Sequence, residues 1–283
     1  MRLAGGDPAE IKLTAQGTVV TPELIETVRD EMGLNDPFIK QYMDWLMDVL
    51  HGDLGVSYTT GIEVTTELKQ HLPYTLMLTI SSMLLTLIVS IPLGILAAVK
   101  RNKWEDHLIR GCSFMGNAIP GFFLALILLL IFSLKLKLLP ILSESGIKSI
   151  ILPTLTLSIA MSSKYIRQIR AVVIEELEKD YVKGLRARGV SEKVILYKNV
   201  LKNIMMTLMT ITGLSIGSLI GGTAIVESIF VWPGIGKLVL TAISNRDYPV
   251  IQGYVLWMGC IFVVINLIVD LLYRVFDPRV RAQ

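Results

Sequence analysis

Residues 72–99 read LPYTLMLTISSMLLTLIVSIPLGILAAV, a stretch without a single Asp, Glu, Lys or Arg. It is longer than the ~20 apolar residues that carry a helix across the hydrocarbon core of a bilayer. Its apolar residues are continuous rather than alternating. Since backbone polar groups cannot stay unpaired in hydrocarbon, the run predicts a spanning helix and excludes a β-barrel strand. Working outward, four more uncharged runs follow at 111–134, 149–163, 204–226 and 248–269. The third is short, but Tyr165, Ile166, Ile169, Val172 and Val173 continue its apolar face past Lys164 and Arg167 at helical spacing. The whole composition agrees: 52% of the 283 residues are hydrophobic and only 18% charged, with a mean hydropathy of +0.59. The expectation is an all-α polytopic membrane protein with five spans at about 72–99, 111–134, 149–170, 204–226 and 248–271. Residues 1–71 precede it as a separate polar segment, and 171–203 form a loop.

Charge sets the expected orientation, because Lys and Arg favour the cytoplasmic side in short loops. If 72–99 runs inward, segments 100–110, 164–202 and 272–283 are cytoplasmic and carry 17 of the 27 basic residues. Residues 1–71, with 12 acidic side chains, then lie outside. A polar segment of that size has no preceding span to carry it across, so the reading expects a further apolar helix upstream of Met1. Cys112 and Cys260 sit in or beside apolar runs and read as buried thiols rather than a disulfide. His51, His71 and His107 lack metal-ligand spacing, so no metal site is expected.

Within 1–71, Thr21 before Pro22 and Glu23 starts a helix that Gly33 stops, and Asp36 before Pro37 caps another carrying Phe38, Tyr42, Trp45, Leu46 and Val49. The segment reads as a solvated cap on the membrane helices or as a receiver for an external partner. Loop 100–107, with interfacial Trp104, is read as carrying no chemistry. The tail with Arg274, Arg279 and Arg281 reads as charge held inside.

The loop EELEKDYVKGLRARGVSEKVILYKNVLKN (175–203) is larger than a membrane anchor needs. Leu177, Tyr181 and Leu185 mark one helix face. Gly189 permits a turn with positive φ, and Ser191 is placed to cap a second helix with Val194, Ile195, Val200 and Leu201. Lys183, Arg186, Arg188 and Lys193 lie near Asp180 and Glu192, a mixed surface that suits either a reversible protein contact or a lipid-facing basic loop.

Asp180-Tyr181-Val182, then Lys183-Gly184-Leu185-Arg186-Ala187-Arg188-Gly189, with Leu201 twelve residues beyond the glycine, resembles the EAA loop of ABC importer permeases of the peptide/nickel subgroup. Lys183, Asn199 and Lys202 depart from the general motif. Further likeness runs through Gly6-Asp7-Pro8, Gly33-Leu34, Asp36-Pro37, Gly52-Asp53-Leu54-Gly55-Val56-Ser57, the stretch from Gly221-Gly222 through Glu227 and Phe230 to Trp232-Pro233-Gly234-Ile235-Gly236, Asn245-Arg246-Asp247-Tyr248-Pro249-Val250-Ile251-Gln252 and Asp277-Pro278-Arg279. The resemblance implies a type I ABC importer transmembrane fold with six helices in the family. It implies a coupling role toward an ATPase for Asp180, Tyr181, Lys183, Gly184, Ala187, Arg188, Gly189, Ser191 and Leu201. It also implies an outer gate or binding-protein contact for Glu227, Trp232, Pro233, Gly234, Arg246, Asp247 and Tyr248, although charges at helix ends also occur without such a role.

The implied partners are a second homologous permease, two cytoplasmic ATPases, an extracytoplasmic solute-binding protein and membrane lipid, with no nucleic acid, in a bacterial or archaeal cytoplasmic membrane. No Gly-rich loop ending in Lys-Ser or Lys-Thr is present to cradle phosphate. ATP and Mg are therefore expected on partner subunits, and this chain is expected to be non-catalytic with no cofactor of its own. The 245–249 run and the spacer from Gly6-Asp7-Pro8 to Thr21-Pro22-Glu23 lean toward nickel as cargo, with peptides as the alternative. A self-sufficient transporter or channel would show ionisable residues at mid-membrane depth, and the five runs have none. A membrane-anchored scaffold would need neither five spans nor these motifs. Gly213, Gly217, Gly221 and Gly222 are read as close helix packing, and packing is also the simpler account of Pro92, Gly94, Pro120 and Gly121.

Overall fold

The computed structural model describes residues 7–140 and 147–276. Two capped prolines begin it. The Asp7 carboxylate accepts from Ala9 N–H at 3.0 Å ahead of α1 (Pro8–Ala15), and Thr21 Oγ1 accepts from Leu24 N–H at 3.3 Å ahead of α2 (Pro22–Glu31). Each fills a donor that a helix start leaves open. The third helix, α3 (Phe38–Leu50), departs from expectation. Pro37 occupies the cap position without a side-chain bond, and the Asp36 carboxylate pairs with Lys40 at 2.9 Å instead. None of the α3 stripe is buried.

The long elements follow: α4 (Val64–Val99), α5 (Trp104–Ala118), α6 (Gly121–Leu128) and α7 (Ile147–Leu177), with a wide i→i+5 turn over Leu129–Lys135 after α6. Next come α8 (Asp180–Ala187) and α9 (Glu192–Val194), which runs through a second wide turn (Ile195–Val200) into α10 (Leu201–Gly222). Then α11 (Ala224–Ile229), α12 (Ile235–Ser244) and α13 (Tyr248–Phe276) complete the order. Among the described residues the one extended pairing is an isolated bridge between Val56 and Glu63. The fold is all-α, as the apolar runs require.

Among the described residues, four stretches are long and apolar enough to cross a membrane: Val64–Val99, Lys148–Leu177, Glu192–Gly222 and Tyr248–Leu271. A fifth exists if α5 and Gly121–Lys135 count as one span, broken by a 99° bend. Simple packing does not account for Pro120. A residue before proline is pushed out of the helical region, and Ile119 accordingly sits at φ −81°, ψ 123°. Proline itself offers no N–H to continue the ladder. Pro92, by contrast, leaves α4 unbroken. Close packing does hold at Gly94, where an added Cβ would lie 2.7 Å from Ile169 Cβ, and at Gly213, where it would lie 2.2 Å from Val269 Cγ2. Gly217 would meet Phe262 at 2.7 Å, whereas Gly221 and Gly222 face open space.

The chain divides into two compact units, Met1–Thr75 with Pro233–Cys260 and Leu76–Trp232 with Ile261–Gln283. The first holds two small apolar clusters, one around Ala9, Leu13 and Val28 and one around Val64, Leu68, Ala242 and Val250. An Arg29–Asp7 pair at 2.8 Å ties α1 to α2. The second holds a large core in which Tyr165, Ile169 and Val173 of α7 are fully or almost fully buried among Leu78, Leu152, Val182, Ile204 and Trp232. The motif readings at Gly6 and Asp277-Pro278-Arg279, and the charges of Arg279 and Arg281, lie outside the described residues.

Candidate coupling site

Glu176 sits on the same face of α7 as Ile169 and Val173, and only 6% of it is exposed. A buried carboxylate is costly unless its oxygens are bonded. Glu176 accepts from Lys179 Nζ at 2.6 Å, the Tyr181 hydroxyl at 2.8 Å and Asn203 Nδ2 at 2.9 Å. Asn203 also donates to the Tyr181 hydroxyl at 3.1 Å. One side chain thus joins the end of α7 to the starts of α8 and α10. Burial, and then the neighbouring Glu176, push the Tyr181 phenol above its ordinary pKa.

Apolar packing completes the anchorage, with Val182 fully buried and Leu185 and Leu201 packed against the large core. Beyond α8 the chain turns at Gly189, whose φ of +75° only glycine adopts cheaply. Gly189 N–H donates to Arg186 C=O at 2.9 Å and Val190 N–H to Leu185 C=O at 3.1 Å, a Schellman-type ending. The Ser191 hydroxyl does not cap α9 as the sequence reading expected. The turn is held instead by Arg186, which donates to both Glu192 oxygens at 2.7 and 3.2 Å.

What remains outward is one face of α8. Asp180, Lys183, Gly184, Ala187 and Arg188 recur at helical spacing and are all exposed. Gly184 and Ala187 make its middle low and open, with nothing within 4 Å of a Cβ at Gly184. Lys183 bonds Asp180 at 2.8 Å and holds that carboxyl below its usual range. The nine residues assigned to coupling therefore gather in one segment, some as face and some as anchor.

The seven gate or contact residues are placed differently. Glu227 and Trp232 belong to one unit, while Pro233, Gly234, Arg246, Asp247 and Tyr248 belong to the other. Glu227, Trp232, Gly234 and Asp247 are buried, Pro233 and Tyr248 partly so, and Arg246 is exposed. Glu227 accepts from the Thr223 hydroxyl at 2.9 Å, and Asp247 from the Ser57 hydroxyl at 2.6 Å and Thr59 N–H at 3.1 Å. Among the described residues no three His, Cys, Asp or Glu side chains gather to hold a metal ion.

Three anchoring side chains escaped the sequence reading. Glu176 had a visible signal, a carboxylate in line with an apolar helix face. Asn203, also in the hub, had none. Loop 100–107 does carry structure: fully buried Asp106 accepts from Arg170 at 2.6 and 2.7 Å and from Asn102 N–H at 3.0 Å. Its partner is 64 residues away, so spacing could not reveal it.

Known proteins resemble this chain in sequence and in fold. Residues 90–282 match the family described as binding-protein-dependent transport system inner membrane component, and residues 3–79 match the N-terminal region of such membrane components. The metal-staphylopine import system permease protein CntB of Staphylococcus aureus is 40% identical over 276 residues, covering 97% of this chain and 88% of the relative. The nickel import system permease protein NikB of Staphylococcus aureus is 39% identical over 284 residues, covering 100% and 85%. Among solved structures, the inward-facing MetNI methionine ABC transporter aligns with a TM-score of 0.63 at 16% identity, covering 74% of this chain and 96% of that one. An amino acid ABC transporter aligns at 0.51 and 14%, covering 76% and 94%. The fold is that of an ABC importer transmembrane domain, and with the family match over most of its length and full-length identity near 40%, the chain belongs to the inner membrane components of binding-protein-dependent transport systems.

Proposed function

We propose that this chain is half of the translocation pathway of an ATP-driven importer of nickel, as the ion or as a nickel complex. The observation that carries the reading is the outward face of α8, low in the middle, charged at its ends and rigidly rooted in α7 and α10. A second homologous permease completes the pathway, two cytoplasmic ATPases seat the α8 faces, and an extracytoplasmic binding protein delivers cargo. ATP and Mg²⁺ act on the ATPases, and this chain performs no chemistry. Closure of the ATPases carries α8 with it. The Glu176 hub and the Val182 anchor pass that displacement to α7 and α10, which move as rigid elements. The coupling loop 171–203 and the C-terminus then face the cytoplasm of a bacterial or archaeal cell. Full-length likeness to nickel and metal-staphylopine permeases supports the cargo.

Radiolabelled nickel uptake is the test, in cells carrying the whole transporter against cells lacking this chain. Nickel uptake is expected to fall to background while dipeptide uptake stays level. Loss of dipeptide uptake alone would overturn the cargo. Failure of the ATPases to co-purify with the intact chain would overturn the coupling role.

A further inference from the structure

The unit built from Met1–Thr75 and Pro233–Cys260 contains two carboxylates with unfinished bonding. Glu67, in the first turn of α4, is 4% exposed, and Asp247, just before α13, is 2% exposed. Each has one satisfied oxygen. Glu67 Oε1 accepts from the Thr60 hydroxyl at 2.5 Å, and Asp247 Oδ2 from the Ser57 hydroxyl at 2.6 Å. Thr60 N–H donates to Ser57 Oγ at 3.1 Å, which closes a chain of bonds from one carboxylate to the other. The second oxygens, Glu67 Oε2 and Asp247 Oδ1, are buried and accept nothing. Both residues line one cavity of about 50 Å³, together with Thr241 and Asn245.

We propose that this cavity binds a single hard cation of the Ca²⁺ class. A buried carboxylate oxygen without a partner is heavily penalised, and two carboxylates lining one cavity concentrate negative charge where a cation is the natural complement. The cavity opens beside exposed Thr241 and Asn245, so waters can complete the six to eight oxygens that such an ion takes. The donors are all oxygen: two carboxylates, with the Thr241 hydroxyl and the Asn245 amide as neutral candidates. Such a set favours Ca²⁺ over the nitrogen- and sulfur-seeking metals. Two carboxylates match the charge of one divalent ion. The Ser57 hydroxyl already aligns Asp247 from the side away from its open oxygen. Bound there, the ion would staple the 57–60 loop to the turn before α13, segments 190 residues apart.

The experiment uses the whole transporter, purified in detergent and stripped with EDTA. Equilibrium dialysis with ⁴⁵Ca²⁺ is expected to show a site that Glu67→Gln and Asp247→Asn each remove, one equivalent per copy of this chain. Saturating Ca²⁺ is expected to raise the melting midpoint of the wild type by on the order of 5 °C, and to raise neither variant. If one variant fails to assemble, the other decides. A wild type that binds no Ca²⁺ and melts identically in EDTA would overturn the proposal, leaving a water-filled cavity. So would a bound equivalent that survives both substitutions. Ni²⁺ protecting as well as Ca²⁺ would overturn the hard-cation assignment.

Discussion

Segments 180–189 and 227–252 carry equally dense motifs, yet the structure uses them in opposite ways. In the first, Asp180, Lys183, Gly184, Ala187 and Arg188 are exposed on one helix face. In the second, Glu227, Trp232, Gly234 and Asp247 are buried and bonded or packed within their own units. A dense motif can thus be left exposed or built into internal joints, and the coupling role proposed for α8 requires the first. Substitutions in 227–252 should register first in folding. Those on the α8 face should register in coupling while the fold stands.

The largest effect is expected at Trp232, which is 5% exposed in the large core. Trp232→Ala should cost about 3–5 kcal/mol by cavity formation, read as a lowered melting midpoint and less assembled permease. A Trp232→Ala protein that melts like the wild type but fails to import would break the contrast. Glu176→Ala comes next. It removes charge-assisted bonds from Lys179, Tyr181 and Asn203, whose donors are exposed and can turn to water, at about 1–3 kcal/mol for the three together, and should loosen α8 enough to uncouple ATP hydrolysis from transport. Fast hydrogen exchange at 179–185 in an otherwise protected protein would show this. Gly189→Val forces a β-branched residue to a φ of +75°, costing about 1–2 kcal/mol locally. Its ATPase co-purification should be lost while membrane insertion is kept, and an unchanged pull-down would separate α8 from the ATPase.

Much of this was legible because it follows from local rules. Continuous apolar runs announced the long helices, and a glycine at 189 announced the turn. The cap of α3 differs because the Asp36 carboxylate pairs with Lys40, a competitor that sequence does not rank, and at α9 the Ser191 hydroxyl makes no capping bond. Pro120 breaks its helix and Pro92 does not, and the one local difference is that Gly121 follows Pro120 directly, a turn signal, while Leu93 follows Pro92. Asp106–Arg170, Ser57–Asp247 and Glu176–Asn203 join residues 64, 190 and 27 apart. No periodicity reaches that far, and these bonds tie together segments that are distant in sequence.

The smallest effect on stability, and the sharpest on the contrast, belongs to Gly184. Its position is a helix interior with open space around the missing Cβ. Replacing such a glycine should stabilise the helix, by up to about 1 kcal/mol for alanine. Selection for α8 stability would have removed it. If the low middle of the face exists to seat against another protein, Gly184→Leu should leave melting unchanged or slightly raised. It should also weaken ATPase binding by about tenfold or more, since ~1.4 kcal/mol of clash suffices for that. Binding measured with purified ATPase, beside a melting curve of the same sample, gives both numbers. Opposite signs would mean that this glycine serves the partner rather than the fold, while full ATPase affinity in Gly184→Leu would reduce α8 to an ordinary solvated helix.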